Sequence, residues 1–538
     1  MSLTLTLALM LISALYWIAL PPGHRRTMLL LTSLILLYAL QPPQGYPPLA
    51  FVFPTTLVIM TLGVGWLAHP ESRQGFGQGL AVTVMGLFLV FFAPNAQVLI
   101  RTGAAFLEQG MNGALGTVIS AAVLIGVSGS LVGRSLPRWS LIGLTAALIL
   151  IVIVGRGALA NPLSLSELGE ILLMALPSGV LGWSLIGLII LSFAPFGIAA
   201  IQSFNARKRL ALIWLGLMVG FQVLIKAQGV NHAAAEALSG SRFDLGWFAL
   251  SYISFRLAHV LLDLRDESLE QPYSLSEFVI FTLFFPTLSA GPVTRLEEIV
   301  PQLRQNPPYQ PAFSLIGGLR VLAGMVKTFV ISNVLGIAVL QPALAHHQGS
   351  VPALWVMLYA TMFRFYFDFS GYSDIAIGLG QMYGITLPEN FKRPFVQPNL
   401  SLFWQSWHVS LSTWFRQYWF NPLVRTLMGT PIRKRQNWIV FFAQISTMGL
   451  IGLWHQIAPN WLIWGLWHGV GLWAYKLISD RTRKWHSKEI KQPGRARLIR
   501  ALSVLVTVNY VALSFAFVAL PDAGTALRYL VALFGVRL

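Results

Sequence analysis

The feature that most constrains this chain is its succession of long apolar runs, separated by short turns rich in Gly, Pro and basic residues. Runs near residues 3–20, 48–68, 79–100, 113–133, 168–193, 313–341, 351–369, 437–457 and 498–520, among others, reach the roughly 18–20 residues that span a hydrocarbon core. Inside a bilayer such a segment must satisfy its backbone N–H and C=O groups by itself, so each run becomes a helix. A membrane β-barrel would instead show short segments of alternating polarity, and the sequence has none. The fold expected is all-α: a polytopic helical membrane protein with about 14–17 crossings by run length. Shorter runs, such as 195–204 and 371–384, read as re-entrant or interfacial helices.

The formal charge of +18 would point to nucleic acid in a soluble protein. With 55% hydrophobic and only 10% charged residues, the basic side chains instead fall between apolar runs, where they set orientation, and no nucleic-acid partner is expected. His24-Arg25-Arg26, Arg207-Lys208-Arg209, Arg433-Lys434-Arg435 and a long loop from Asp480 to Arg500 mark the cytoplasmic side, which puts the N-terminus outside. The last of these is the most basic, suited to anionic lipid or to an acidic cytoplasmic carrier. The run from Leu3 to Leu20 has no basic start and no small-residue cleavage signature, so it reads as a retained helix. Cysteine is absent, which excludes disulfides, thiolate catalysis and Cys-zinc sites. Charge and motifs are thin before about residue 205 and dense after it. The division expected is accessory membrane helices over 1–206, a working core over 207–520 and a C-terminal apolar helix over 521–538.

Four stretches of that core carry polar groups at membrane depth, where such groups are expensive and mark function. In PTLSAGPVTRLEE (286–298), Pro286, Gly291 and Pro292 should break the helix, with Arg295, Glu297 and Glu298 following at the water interface. In FRFYFDFSGYSDIAIGLG (363–380), Arg364 and Asp368 are spaced i, i+4 as a structural ion pair, and Gly371 allows a turn between two short helices. In FWQSWHVSLSTWFRQYW (403–419), a continuous helix would align Trp404, His408, Ser412 and Phe415, with Arg416 next along, like the lining of a pocket. In GLWHQIAPNWLIWGLWHG (452–469), a Gly-Leu-Trp-His tetrad occurs twice. Pro459-Asn460 predicts a turn, leaving His455 at the end of one helix and His468 within the next.

His408, His455 and His468 are each preceded by tryptophan, in a chain with 10 histidines. One histidine on an apolar run is usually a hydrogen-bonded core residue; three Trp-His pairs point to chemistry. A neutral imidazole in apolar surroundings can act as general base toward an acceptor hydroxyl attacking a thioester. No Asp or Glu lies close in sequence to any of the three, which weakens a carboxylate-histidine triad. Three histidines alone could ligate a metal, but no metal is assigned.

SAGPVTRLEE, FDFSGYSDIAIGLG, NFKRPF, FWQSWHVSLSTWFRQYWFNPL and GLWHQ…WGLWHG, in that order across about 207–520, resemble the membrane-bound O-acyltransferases. The bacterial branch that modifies alginate and teichoic acid is the most similar. The resemblance implies a ring of helices around a thinned centre, with the acyl donor entering from the cytoplasm and the acceptor from the other side. It places the family's invariant histidine on His455, its second polar position on His408, and the histidine of the following element on His468, ranked third. Trp404, Ser412, Arg416, Trp454, Arg295 and Asn390 are the expected lining and substrate-binding residues. The reaction implied moves an acyl group, acetyl above others, from acetyl-CoA or an acyl-carrier protein as co-substrate to a hydroxyl of an extracytoplasmic polysaccharide or partner protein. No permanently bound cofactor is implied, and the location is a bacterial cytoplasmic membrane. A flippase of acyl or lipid-linked intermediates is the alternative, for which inverted repeats would speak; none is evident.

Overall fold

The computed structural model describes residues 3–18, 20–41, 49–68, 190–199, 201, 203–227, 247–269, 273–305, 310–338, 350–489 and 492–536. Every regular element among them is a helix, as the apolar runs require. The runs expected near 79–100, 113–133 and 139–156 lie outside the described residues. Pro311–Ala338, Gln436–His455 and Pro493–Ala519 are long and apolar enough to cross a membrane. The chain forms two compact units: Met1–Ala14 with Ala290–Thr294 and Pro307–Leu538, and Leu15–Ser289 with Arg295–Asn306.

The first unit holds its helices together by glycine contacts. Pro311–Met325 crosses Val351–Met382 so closely that a Cβ on Gly378 would lie 2.5 Å from the Gly317 carbonyl oxygen, and one on Gly324 would lie 2.6 Å from that of Gly371. Without a hydrophobic drive between helices in lipid, close backbone approach is what supplies packing energy. The turn expected at Gly371 is therefore absent. Val351–Met382 is one helix of 32 residues, and Gly371 is spent on a helix crossing rather than a bend. Arg364 and Asp368 are both exposed, and the salt bridges of this helix form instead at Asp374, with Arg320 at 2.9 Å and Lys327 at 2.5 Å. Gln436–His455 packs on Pro459–Glu489 in the same manner. A Cβ on Gly452 would run into the Trp461 carbonyl, and one on Gly465 into that of Met448. The tetrad repeat thus supplies one glycine to each side of a helix pair.

Pro493–Ala519 closes onto this pair. Asn460 donates to the Phe517 and Leu520 carbonyls at 3.0 and 3.3 Å, and Trp467 and Tyr510 stack while exchanging side-chain-to-backbone hydrogen bonds. The basic stretch expected as a loop from 480 to 500 is mostly helical, divided between the end of Pro459–Glu489 and the start of Pro493–Ala519. Lys and Arg are good helix formers with solvated head groups, so nothing unwinds the helix as it leaves the apolar region.

In the second unit, Leu275–Leu283 opens on a capping box between Ser274 and Glu277. Glu277 also takes Arg26 and Arg304 as ion-pair partners. The helix stops where Pro286 demands it: a short 3-10 turn over Phe285–Thr287 follows, and helix resumes only at Leu296. Arg256, fully buried on Leu250–Arg265, donates to the Thr282 and Thr287 carbonyls at 2.6 and 3.0 Å, satisfying backbone groups the break releases.

Candidate active site

The three Trp-His histidines converge in the first unit, joined through tryptophan rings. His455 is the last residue of Gln436–His455 and is half-buried. Its ring stacks on Trp461 with centroids 5.0 Å apart, and Trp454 and Trp464 lie at 4.6 and 5.7 Å. His468 lies in the middle of Pro459–Glu489, buried, with Nε2 3.0 Å from the Ser514 hydroxyl and its ring edge-on to Trp404 and Trp464. His408 is 2% exposed; it meets Phe369 edge-on at 4.6 Å and Trp454 at 6.3 Å, and its Nε2 has no hydrogen-bond partner among the described residues. His408 and His455 are near enough to interact electrostatically.

Sequence spacing explains part of this. Trp461, Trp464 and His468 follow at i, i+3 and i+7, one face of a helix, so Trp461 and Trp464 were legible as wall residues although only the Trp-His pairs were singled out. Phe369 had no such signal: it comes from a helix distant in the chain.

The expected continuous helix over 403–419 does not form. Helix runs over Leu400–Trp404, breaks, restarts at Val409–Phe415 and passes through a π-helical turn over Arg416–Phe420 into Asn421–Met428. His408 sits at the break with φ 45° and ψ 53°, a left-handed conformation no α-helix can contain. His408, Ser412 and Arg416 accordingly do not share a helix face. The His408 ring is directed by the strained backbone; Ser412 is half-buried, its hydroxyl 3.4 Å from the Trp407 carbonyl, and Arg416 is exposed. Trp404 is buried against His468, and Trp454 bridges His408 and His455. Asn390 is wholly buried, bonded to Ser373 and Ser410. Arg295 belongs to the second unit, ion-paired with Glu297.

Among the described residues, the ligand atoms of His259, Asp263 and Glu297, also in the second unit, lie within 4.8 Å of one another. His259 Nε2 accepts the Leu296 amide at 3.3 Å and Glu297 pairs with Arg295, so two of these three residues already have polar partners at a helix start.

Chemically, the cluster offers two imidazoles, one buried and one half-exposed, both in contact with Trp454 among other aromatic rings. Such a setting suits proton transfer from a hydroxyl. The family model described as membrane-bound O-acyltransferase matches residues 200–506, more than half of the chain. The chain belongs to the membrane-bound O-acyltransferase family. It is thus an O-acyltransferase of the membrane, and the cluster lies within the matched region. Similar proteins include a teichoic acid D-alanyltransferase of Streptococcus thermophilus, 33% identical over 52% of this chain and 69% of the relative. A protein named probable alginate O-acetylase of Pseudomonas syringae pv. tomato is 34% identical over 45% of each chain. A peptidoglycan O-acetyltransferase of Helicobacter pylori is 32% identical over 49% of this chain and 48% of the relative. The matched part therefore spans about two thirds of the first relative and about half of the other two.

Proposed function

We propose that this acyltransferase moves an acetyl group from a cytoplasmic thioester, acetyl-CoA or an acyl-carrier protein, to a hydroxyl of an exported polysaccharide or of a partner protein that passes it on. His455 is the general base. It takes the proton of the acceptor hydroxyl as that oxygen attacks the thioester carbonyl; the acyl–oxygen bond forms, the thiolate leaves, and the imidazolium returns the proton to it. His408, across Trp454 from His455, orients the acceptor or polarises the carbonyl. Residues 207–520 form the catalytic core and 1–206 accessory helices, in a cytoplasmic membrane crossed several times.

The observation that carries this reading is the pairing of a half-exposed His455 with a buried His408 in one aromatic cluster. A carrier role without chemistry would not need two imidazoles on the same tryptophan ring. The relatives named for modifying teichoic acid, alginate and peptidoglycan support an extracytoplasmic acceptor, and those named for acetylation support the acetyl group.

The test is His455→Ala in the producing strain, measuring acetyl esters on the exported polymer together with the amount of full-length protein in the membrane. Loss of a general base costs about 10²–10⁴-fold in rate, so esters should vanish while the protein persists. Esters retained at normal protein level would remove His455 from this role.

A further inference from the structure

His408 holds a left-handed backbone conformation, which in a non-glycine residue persists only where its surroundings over-determine it. Those surroundings centre on one residue, Asn390. The Asn390 carbonyl accepts the Val409 amide at 3.0 Å, and its Oδ1 accepts both the Ser410 hydroxyl at 2.9 Å and the Ser410 amide at 3.3 Å. On the other flank, the Lys392 amide donates to the Ser406 carbonyl at 2.9 Å. The backbone is thus held on both sides of His408 by two residues, Asn390 and Lys392.

The clamp is itself anchored. Asn390 Nδ2 donates to the Ser373 hydroxyl at 3.2 Å on Val351–Met382, and the neighbouring Glu389 takes two bonds from Arg320 at 2.5 Å each on Pro311–Met325. Ser410, the other half of the clamp, also accepts the Val293 amide at 2.9 Å. Asn390 is 0% exposed and both its amide atoms are engaged inside the protein. Its side chain is spent on holding other residues of the protein.

We propose that Asn390 is the positioning residue for His408: it fixes the left-handed turn that aims the imidazole toward Trp454 and His455. This rests on His408 belonging to the reacting centre, as argued above. A residue that only stabilised the fold would, when removed, lower the quantity of protein and leave the activity of the surviving molecules unchanged. A positioning residue acts the other way, because displacement of a catalytic group by about 1 Å costs about 10²-fold in rate.

The full chain carries the test as three variants, Asn390→Ala, Ser410→Ala and His408→Ala. Each is scored by acetyl esters on the exported polymer per full-length protein in the membrane. Each is also scored by amide hydrogen exchange of the detergent-solubilised chain over residues 406–411. Asn390→Ala should speed exchange in that segment and lower esters per protein about tenfold or more. Where Asn390→Ala reduces the yield of folded protein, Ser410→Ala removes the same Oγ–Oδ1 bond from the opposite side and should give the same two changes. Faster exchange with esters per protein unchanged, or exchange unchanged in both variants, would overturn the positioning role. Esters retained by His408→Ala would instead overturn the reading of the site on which it rests, a result the exchange data cannot produce.

Discussion

At the scale of single residues, the histidines differ in what holds them. His468 is buried, with Ser514 on Nε2 and Trp404 and Trp464 edge-on to its ring. His408 is held by its backbone, and a left-handed residue discriminates sharply among substitutes. Asparagine tolerates that region; a β-branched residue is an outlier there. His408→Val should therefore be less stable than His408→Asn by about 1–3 kcal/mol, while both lose acyl transfer. Thermal denaturation in detergent beside ester content checks this, and equal melting temperatures would contradict the strained backbone. Asp522 is a simpler case. It caps the C-terminal helix Ala523–Ala532 by accepting from the Thr525 amide at 2.9 Å and hydroxyl at 2.7 Å, and these bonds to Thr525 hold its carboxyl below the usual aspartate range. Because the folded value is the lower one, the cap's contribution is complete above the ordinary aspartate pKa and is lost as pH falls through the depressed one. Protection factors over 523–532, exchange corrected for its intrinsic pH dependence, should fall in that acidic window, and Asp522→Ala should abolish the fall.

At the scale of elements, glycine decides how the helices meet. The 311–325 and 351–382 helices touch backbone to backbone at Gly317–Gly378 and Gly324–Gly371. Gly378→Leu should force them apart and destabilise the protein by about 1–3 kcal/mol or more, in the manner of an overpacked core. Gly216, in Phe204–Lys226, has open space around it: a Cβ there would have no neighbour within 4 Å among the described residues, so Gly216→Ala should be neutral or stabilising by up to about 1 kcal/mol. Melting temperatures of the two variants, read side by side, separate a packing glycine from an incidental one. The tetrad was legible in the sequence as a histidine repeat, yet its glycines are what bring Gln436–His455 and Pro459–Glu489 into contact. Periodicity alone has no term for the partner helix, which is why Gly371 read as a turn.

At the scale of the whole molecule, the chain's +18 charge and absent cysteine combine into a direct test of orientation. Lys434 lies at the end of the short basic turn Pro431–Lys434. Lys434→Cys would be the sole thiol in the protein, so labelling has no background. Under the positive-inside rule it should react with a membrane-impermeant maleimide only after the cells are permeabilised. The sequence by itself determined the helical class, the membrane setting, the helix break at Pro286 and the convergence of interest on three Trp-His pairs. Each of these follows from local rules: run length, backbone self-satisfaction, the missing proline N–H, and the cost of a polar group in an apolar segment. Only the tertiary structure decided that the 403–419 segment breaks at His408, that Asn390 is buried and bonded to Ser373 and Ser410, and that the ion pair of the 351–382 helix forms at Asp374. Those outcomes depend on groups far apart in the chain, Asn390 with Ser410 and Asp374 with Arg320, whose hydrogen bonds and charges outweigh the preference of any segment taken alone.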